Sequence, residues 1–151
     1  MSRVKIITFN VQDRCFALPS INVKEIIDND EKVKPLSFGG EAIKGVIDYE
    51  GNLLSVLNTP RLLEIVSLGD EPLVLICRDG RKGLMAGLTI SSVTGMEFID
   101  TSEVKPSKDG KTTYISGFIR EEEDNHRAHV TALLNFPELA EYASKKIKKI
   151  D

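Results

Sequence analysis

Residues 43–64 read IKGVIDYEGNLLSVLNTPRLLE, and residues 115–141 repeat the same pattern as ISGFIREEEDNHRAHVTALLNFPELAE. Each copy predicts a strand with a central glycine, a turn, a second strand, and a helix opened by an asparagine with a proline two residues later. A repeat of about 70 residues is too long for a solenoid unit and suits a duplicated small β-barrel. We therefore expect two similar halves, at about residues 1–68 and 69–151, with a groove between them.

Strand signals also dominate the remainder of both halves. Short apolar runs bounded by turn residues predict further strands at residues 5–11, 15–18, 23–27, 73–77, 83–88 and 93–99. Gly51 is expected to supply the positive φ of a tight turn at residues 50–52. The chain is thus predicted to be all-β, with a short middle helix after Asn58 and a C-terminal helix after Asn135.

Composition narrows the classes of partner. A net charge of -3 gives no reason to expect nucleic acid, and no apolar run approaches the roughly 20 residues that span a bilayer. The first residues lack the apolar core of a signal peptide, which favours a cytoplasmic location. Cys15 and Cys77 are isolated within strand-like runs and are expected to be buried thiols, with no support for a disulfide bridge.

Few residues are arranged for chemistry. His126 and His129 follow the acidic residues 121–124, so a metal site is conceivable, but a solvated acidic turn is the favoured interpretation. Residues 100–102 read Asp-Thr-Ser and lack the glycine of an aspartic protease motif, which also has no counterpart in the first half. We therefore expect no enzymatic activity, no cofactor and no metal.

Several short motifs, in this order and spacing, resemble the CheW family of bacterial chemotaxis coupling proteins: Phe16-Ala17-Leu18-Pro19, Val23-Lys24-Glu25-Ile26, Ile43-Lys44-Gly45-Val46-Ile47, Leu53-Leu54, Val56-Leu57-Asn58 and Tyr114-Ile115 with Gly117. The resemblance implies two intertwined, five-stranded, SH3-like β-barrels, with possible strand exchange between the halves. It also implies a non-catalytic adaptor of two-component signalling. Such an adaptor joins the regulatory domain of a CheA-type histidine kinase to the cytoplasmic tips of membrane chemoreceptors in receptor arrays.

The resemblance also implicates particular residues in partner contacts: Val23, Glu25, Lys44, Gly45, Asp48 and Glu50. A receptor helix in a groove needs apolar anchors, and we expect Val23, Ile27 and Ile99 to form part of that lining. The alternative is that Val23 belongs to the core and that Gly45 is a close-packing strand glycine.

One departure from the family pattern concerns the turn. Asp48-Tyr49-Glu50-Gly51 stands where the family usually has Asn-Leu-Arg-Gly, so an acid replaces an arginine. Arginine can clamp a carboxylate with two hydrogen bonds, and glutamate cannot. Either the partner carries a compensating cation opposite Glu50, or this surface no longer makes that contact.

Two other functions remain open at this point. The chain could be a CheW-like paralogue that scaffolds another two-component pathway. A small-barrel nucleic-acid-binding protein that uses the lysines of residues 145–149 is less favoured, because the chain has no Trp and its three Tyr are scattered.

Overall fold

The computed structural model describes residues 2–29, 33–35, 42–69, 71–81, 83–107, 112–122 and 128–148. These residues form twelve strands and two helices: β1 (Arg3–Val11), β2 (Arg14–Pro19), β3 (Val23–Asp28), β4 (Lys34–Pro35), β5 (Ile43–Tyr49), β6 (Asn52–Leu57), α1 (Thr59–Leu62), β7 (Leu73–Asp79), β8 (Leu84–Ile90), β9 (Ser92–Asp100), β10 (Lys105–Pro106), β11 (Ile115–Glu122), β12 (Ala128–Leu134) and α2 (Phe136–Lys148).

The strands form two sheets of the same design. Sheet I has the order β3-β7-β8-β6-β5-β4, and sheet II has the order β10-β11-β12-β2-β1-β9. Each contains five longer strands and one strand of two residues. The prediction of an all-β protein with two subdomains, a short middle helix and a C-terminal helix is confirmed.

The two halves of the chain exchange hairpins. The β1–β2 hairpin belongs to sheet II, whose other strands lie in the second half, and the β7–β8 hairpin belongs to sheet I. Each exchanged hairpin is joined by a short parallel pairing, β2 with β12 and β8 with β6. A boundary near residue 68 therefore divides the sequence repeat but does not separate the sheets.

Three apolar clusters account for the core. The largest lies between the sheets and includes Phe9, Leu75 and Phe136. Inside sheet I, side chains from strands at opposite ends of the sheet order meet in one cluster, including Ile27 of β3 and Ile47 of β5. Sheet II repeats this arrangement with Ile99 and Ile119. Each sheet is therefore curled around its own core.

A glycine in each repeat lies directly beneath a Lys-Pro segment. A Cβ atom on Gly45 would lie 2.3 Å from the carbonyl oxygen of Lys34, and one on Gly117 would lie 2.5 Å from that of Lys105. The register places Pro35 opposite Gly45 and Pro106 opposite Gly117. The repeated glycine is therefore required because backbone crosses it too closely for any side chain.

Both predicted helix starts have the expected cap. Oδ1 of Asn58 accepts a hydrogen bond from the backbone N–H of Arg61, and Oδ1 of Asn135 accepts one from that of Glu138. The helices then differ, because α1 stops after one turn. Its end is marked by Glu64, whose φ of 57° is the left-handed conformation common after helices.

The segment that joins the halves is fastened by a buried carboxylate. Glu71 is only 6% exposed, and its Oε2 accepts hydrogen bonds from Nε2 of Gln12 and Oγ of Ser67. Its backbone carbonyl accepts another, at 2.7 Å, from Nδ2 of Asn29. The carboxylate thus holds the crossing segment against the β1–β2 turn.

Replacing Glu71 by alanine is expected to lower the free energy of unfolding by about 2 kcal/mol, because the amide of Gln12 loses its buried acceptor. Urea unfolding would measure the change. Glu141→Ala is the matched control, since Glu141 is exposed on α2 and pairs only with Lys145 at 3.4 Å among the contacts described; it should change stability by less than about 0.5 kcal/mol. Equal effects of the two variants would contradict a fastening role for Glu71.

Candidate partner-binding surfaces

Four side chains form a clasp, Lys24, Glu25, Tyr49 and Glu50, that joins β3 to the β5–β6 turn on sheet I. Nζ of Lys24 lies 2.6 Å from Oε2 of Glu50 and 5.1 Å from the centre of the Tyr49 ring. The hydroxyl of Tyr49 donates a hydrogen bond to Oε2 of Glu25. Two of the residues singled out from the sequence, Glu25 and Glu50, are thus brought together through Lys24 and Tyr49.

The conformation of the β5–β6 turn places the carboxylate of Glu50 beside Lys24. Tyr49 pairs directly with Asn52, so the loop has two residues rather than the three expected. The two loop residues have positive φ angles, 50° for Glu50 and 83° for Gly51. This is the pattern of the hairpin turn whose twist matches that of the strands. A glutamate at its first position departs from the usual Asn or Gly, and its carboxylate is engaged by Lys24.

Tyr49 is the inner member of the clasp and keeps its proton at neutral pH. The hydrogen bond to Glu25, followed by burial and by the charges of Glu25 and Glu50, raises the pKa of Tyr49 to about 12. The phenol therefore remains a donor to Glu25 across the physiological range. One oxygen of the exposed Glu25 carboxylate is fixed by this bond.

The compensating charge for Glu50 is within the chain itself. The ion pair with Lys24 neutralises Glu50 in the free protein. A partner cation opposite Glu50 is therefore not required by the replacement of the family's arginine.

The remaining residues of this hairpin have separate environments. Asp48 is exposed and Lys44 is half-buried, whereas Gly45 is buried beneath the β4 backbone. The close packing of the β4 backbone explains why residue 45 is a glycine. Gly45 offers no side chain to a partner.

The expectation that Val23, Ile27 and Ile99 line one groove needs correction. Val23 packs against the cluster between the sheets, Ile27 against the core of sheet I, and Ile99 within the core of sheet II. Ile99 is only 4% exposed. Because these side chains enter three different clusters, they do not share a surface, and Ile99 is unavailable as an anchor.

The exposed apolar side chains on the same strands are the neighbours of the predicted residues. Ile26 on β3 is 41% exposed, and Met96 and Phe98 on β9 are 56% and 58% exposed. Side chains alternate across a strand, so Phe98 points outward where Ile99 points inward. The sequence could have indicated an exposed apolar residue on β3, because only one of two adjacent strand residues, Ile26 and Ile27, can face the core.

Two cations accompany the exposed aromatic ring. The guanidinium carbon of Arg3 lies 5.0 Å from the centre of the Phe98 ring, and Nζ of Lys5 lies 5.7 Å from it. Both are within the range of cation–π attraction. Together with Met96, these residues form a patch on β1 and β9, here called the β9 patch, with apolar anchors beside positive charge.

The metal-ligating side chains and thiols of the described residues are dispersed. Among them, no group of three or more His, Cys, Asp or Glu could hold a metal ion. His126 and residues 123–124 of the predicted acidic turn lie outside the described residues, and Nε2 of His129 lies 3.4 Å from Oε2 of Glu121. Cys15 is half-buried rather than buried, and Cys77 is fully buried, which raises the pKa of its thiol and disfavours the thiolate.

The sequence of this chain matches a known protein family. The model of the CheW-like domain matches residues 5–144, which is most of the chain. The chain belongs to the CheW-like family. Members of this family are non-catalytic scaffolds of chemotaxis signalling, so this CheW-like chain is an adaptor and not an enzyme.

A solved structure shares the fold of this CheW-like protein. The scaffolding protein TtCheW from Thermoanaerobacter tengcongensis aligns with a TM-score of 0.75 at 19% sequence identity, over 89% of this chain and 90% of that one. No protein with a curated description matches the sequence. Neither α1 nor α2 has the length and apolar character needed to cross a bilayer.

Proposed function

We propose that this chain couples the cytoplasmic tips of chemoreceptors to the regulatory domain of a CheA-type histidine kinase, at membrane-associated receptor arrays. The observation that carries the proposal is that the two sheets present two surfaces of different chemistry. Sheet I presents the charged clasp, and sheet II presents the apolar and cationic β9 patch. Two unlike surfaces on one small adaptor suit two unlike partners.

The kinase is assigned to sheet I. The clasp lies on β3, an edge strand of the sheet, and the resemblance implies a kinase domain of the same fold that packs barrel to barrel. Glu25 is the principal contact in this proposal, because Tyr49 orients its carboxylate and leaves its other oxygen for a partner donor. Val23, Lys44 and Asp48 remain supporting contacts of the same surface.

The receptor is assigned to the β9 patch. A helix that docks on a protein surface places a few apolar side chains against apolar anchors and polar residues around them. Phe98 and Met96 provide the anchors, and Arg3 and Lys5 favour acidic residues beside the apolar stripe of the helix. Aromatic side chains commonly carry a large share of the binding energy at such sites.

The first test is pairwise binding. The chain should retain the kinase regulatory domain and a receptor tip fragment from the same organism at tens of micromolar or below. If neither partner is retained, the alternative of a paralogue serving another pathway replaces the proposal. Nucleic-acid binding by the lysine-rich C-terminal helix would instead appear at low salt and weaken steeply as salt is added.

Reversing the charge of Glu50 is expected to weaken kinase binding by about tenfold, because Glu50→Arg places two cations together and disrupts the clasp beside Glu25. Titration calorimetry with the kinase domain would measure it. Folding stability should change by only about 0.5–1 kcal/mol, since the pair is exposed.

The matched control is the double reversal Lys24→Glu with Glu50→Arg, which restores an ion pair of opposite orientation. It should recover kinase affinity to within about threefold if the role of Glu50 is to pair with Lys24. Failure to recover would show direct recognition of Glu50 by the kinase. Unchanged affinity in the single variant would remove the turn from the interface.

A further inference from the structure

The open side of sheet I is bridged by a hydrogen bond between two strands near opposite ends of its strand order. Glu25 lies on β3 at one end of the strand order, and Tyr49 lies on β5 near the other end. Each is two residues from an isoleucine of the core that this sheet encloses, Ile27 and Ile47 respectively. The hydroxyl of Tyr49 donates to the carboxylate of Glu25, so this bridge forms without a proton on the carboxyl group.

Sheet II has two carboxyl groups at the equivalent positions. Glu97 on β9 lies two residues before Ile99, and Glu121 on β11 lies two residues after Ile119, where both isoleucines belong to the core of this sheet. The register is equivalent as well, because Glu121 pairs with His129 as Tyr49 pairs with Asn52. A glutamate therefore replaces the tyrosine that bridges sheet I.

Two carboxyl groups can share a hydrogen bond only when one of them carries a proton. The hydrogen bond with Glu121, then burial, then the charges of Glu121 and Glu103, raise the pKa of Glu97, while His129 opposes the shift. Glu103 follows β9, and His129 lies on β12 beside Glu121. The β1 residue paired with Glu97 is the uncharged Ile6, and its neighbours on that face, Val4 and Thr8, are also uncharged.

We propose that the Glu97–Glu121 contact is a proton-dependent latch that holds the edge strand β9 to β11 and so closes sheet II. With the proton present, the two carboxyls are joined as Tyr49 and Glu25 are joined in sheet I. Without it, Glu97, Glu103 and Glu121 repel one another, and β9 is held only by its pairing with β1 and by the packing of Ile99 in the core of sheet II.

The direction of the pH dependence follows from the raised pKa of Glu97. A group whose pKa is higher in the folded protein stabilises the fold below its ordinary carboxyl value, and this contribution is lost as the pH rises through the folded value. Sheet II is thus closed at lower pH and loosened at higher pH.

The latch bears on the proposed receptor surface, and this part of the inference rests on the proposed function. Glu97 stands between Met96 and Phe98, the two anchors of the β9 patch. If β9 separates from β11 more often, fewer molecules hold Met96 and Phe98 in the arrangement that binds the receptor. The apparent affinity for the receptor falls in proportion to that fraction of molecules. Receptor binding should therefore weaken as the pH rises.

The test is a pH titration of the glutamate carboxyl carbons by NMR, in the whole chain without any partner. In the native protein, the Glu97 carboxyl should titrate above the ordinary range of a glutamate. In Glu121→Gln, the Glu97 titration should move to lower pH, because the introduced amide can donate a hydrogen bond to the ionised Glu97 carboxylate. A Glu97 titration in the ordinary range in the native protein, or one that is unchanged in Glu121→Gln, would overturn the latch.

A second variant places a tyrosine in sheet II at the position equivalent to that of Tyr49 in sheet I. Glu121→Tyr should remove the pH dependence that the latch gives to the urea midpoint of the native protein. Glu25→Gln, a variant that leaves sheet II unaltered, should keep it. Receptor-fragment affinity should fall about threefold or more over the Glu97 titration in the native protein and stay level in Glu121→Tyr. An identical pH profile in Glu121→Tyr and the native protein would overturn the proposal. A latch that titrates as expected in a protein that binds no receptor fragment at any pH would overturn the proposed function alone.

Discussion

Gly45→Ala is expected to lower the free energy of unfolding by about 3 kcal/mol or more, the largest stability effect of the substitutions considered. The added Cβ would lie 2.3 Å from the carbonyl oxygen of Lys34 and 2.8 Å from its carbonyl carbon. Because the obstructing atoms are backbone, relief requires β4 to separate from β5. Chemical denaturation monitored by circular dichroism would measure the loss.

Gly95→Ala is the matched control, since Gly95 is also a strand glycine. Its added Cβ would meet only Oγ1 of Thr8, at 3.5 Å, an ordinary contact. We expect a change of about 0.5 kcal/mol or less, and a small gain is allowed because alanine restricts the unfolded chain. Similar losses at Gly45 and Gly95 would contradict the close backbone crossing as the reason for Gly45. A folded, stable Gly45→Ala that fails to bind the kinase would restore a direct contact role to this position.

Phe98→Asp is expected to weaken binding of the receptor tip by about thirtyfold or more, the largest effect on binding that we expect of any substitution. The substitution removes the central anchor of the β9 patch. Folding should be affected little, because the ring is already 58% exposed. Affinity for the kinase domain should remain unchanged, since the clasp lies on the other sheet.

Val130→Asp is the control for Phe98→Asp. Val130 lies on β12 of the same sheet and is 53% exposed, so the two sites match in burial. The control should bind the receptor fragment as the native chain does. Equal loss in both variants would indicate a general effect of charge on sheet II, and no loss at Phe98 would move the receptor to another surface.

The sequence was sufficient for features decided by neighbouring residues. The strand-turn-strand-helix repeat, the asparagine caps and the positive φ at Gly51 depend on local chemistry, and each is found where it was expected. The exchange of the β1–β2 and β7–β8 hairpins was not decided locally. It depends on parallel pairings between strands far apart in the chain, such as that of Phe16 with Ala132, which leave no sequence period to detect.

The candidate surfaces likewise depend partly on local sequence and partly on contacts between residues far apart in the chain. Glu25 and Glu50 were identified through the family pattern, but their connection through Lys24 and Tyr49 depends on β3 meeting the β5–β6 turn across a curled sheet. The sequence does not decide which way Ile99 faces, because an apolar residue in a strand can face either the core or the surface. Its burial follows from the register of β9 on β1, which turns Phe98 outward instead.

The most direct test of the central claim is simultaneous binding to two surfaces. The native chain, immobilised, would be saturated with the kinase regulatory domain and then exposed to the receptor tip fragment. We expect the receptor fragment to bind the loaded chain with an affinity close to that for the free chain. Phe98→Asp should abolish this second step while kinase loading persists. Displacement of the kinase by the receptor, or loss of both partners in Phe98→Asp, would contradict an adaptor with separate surfaces on its two sheets.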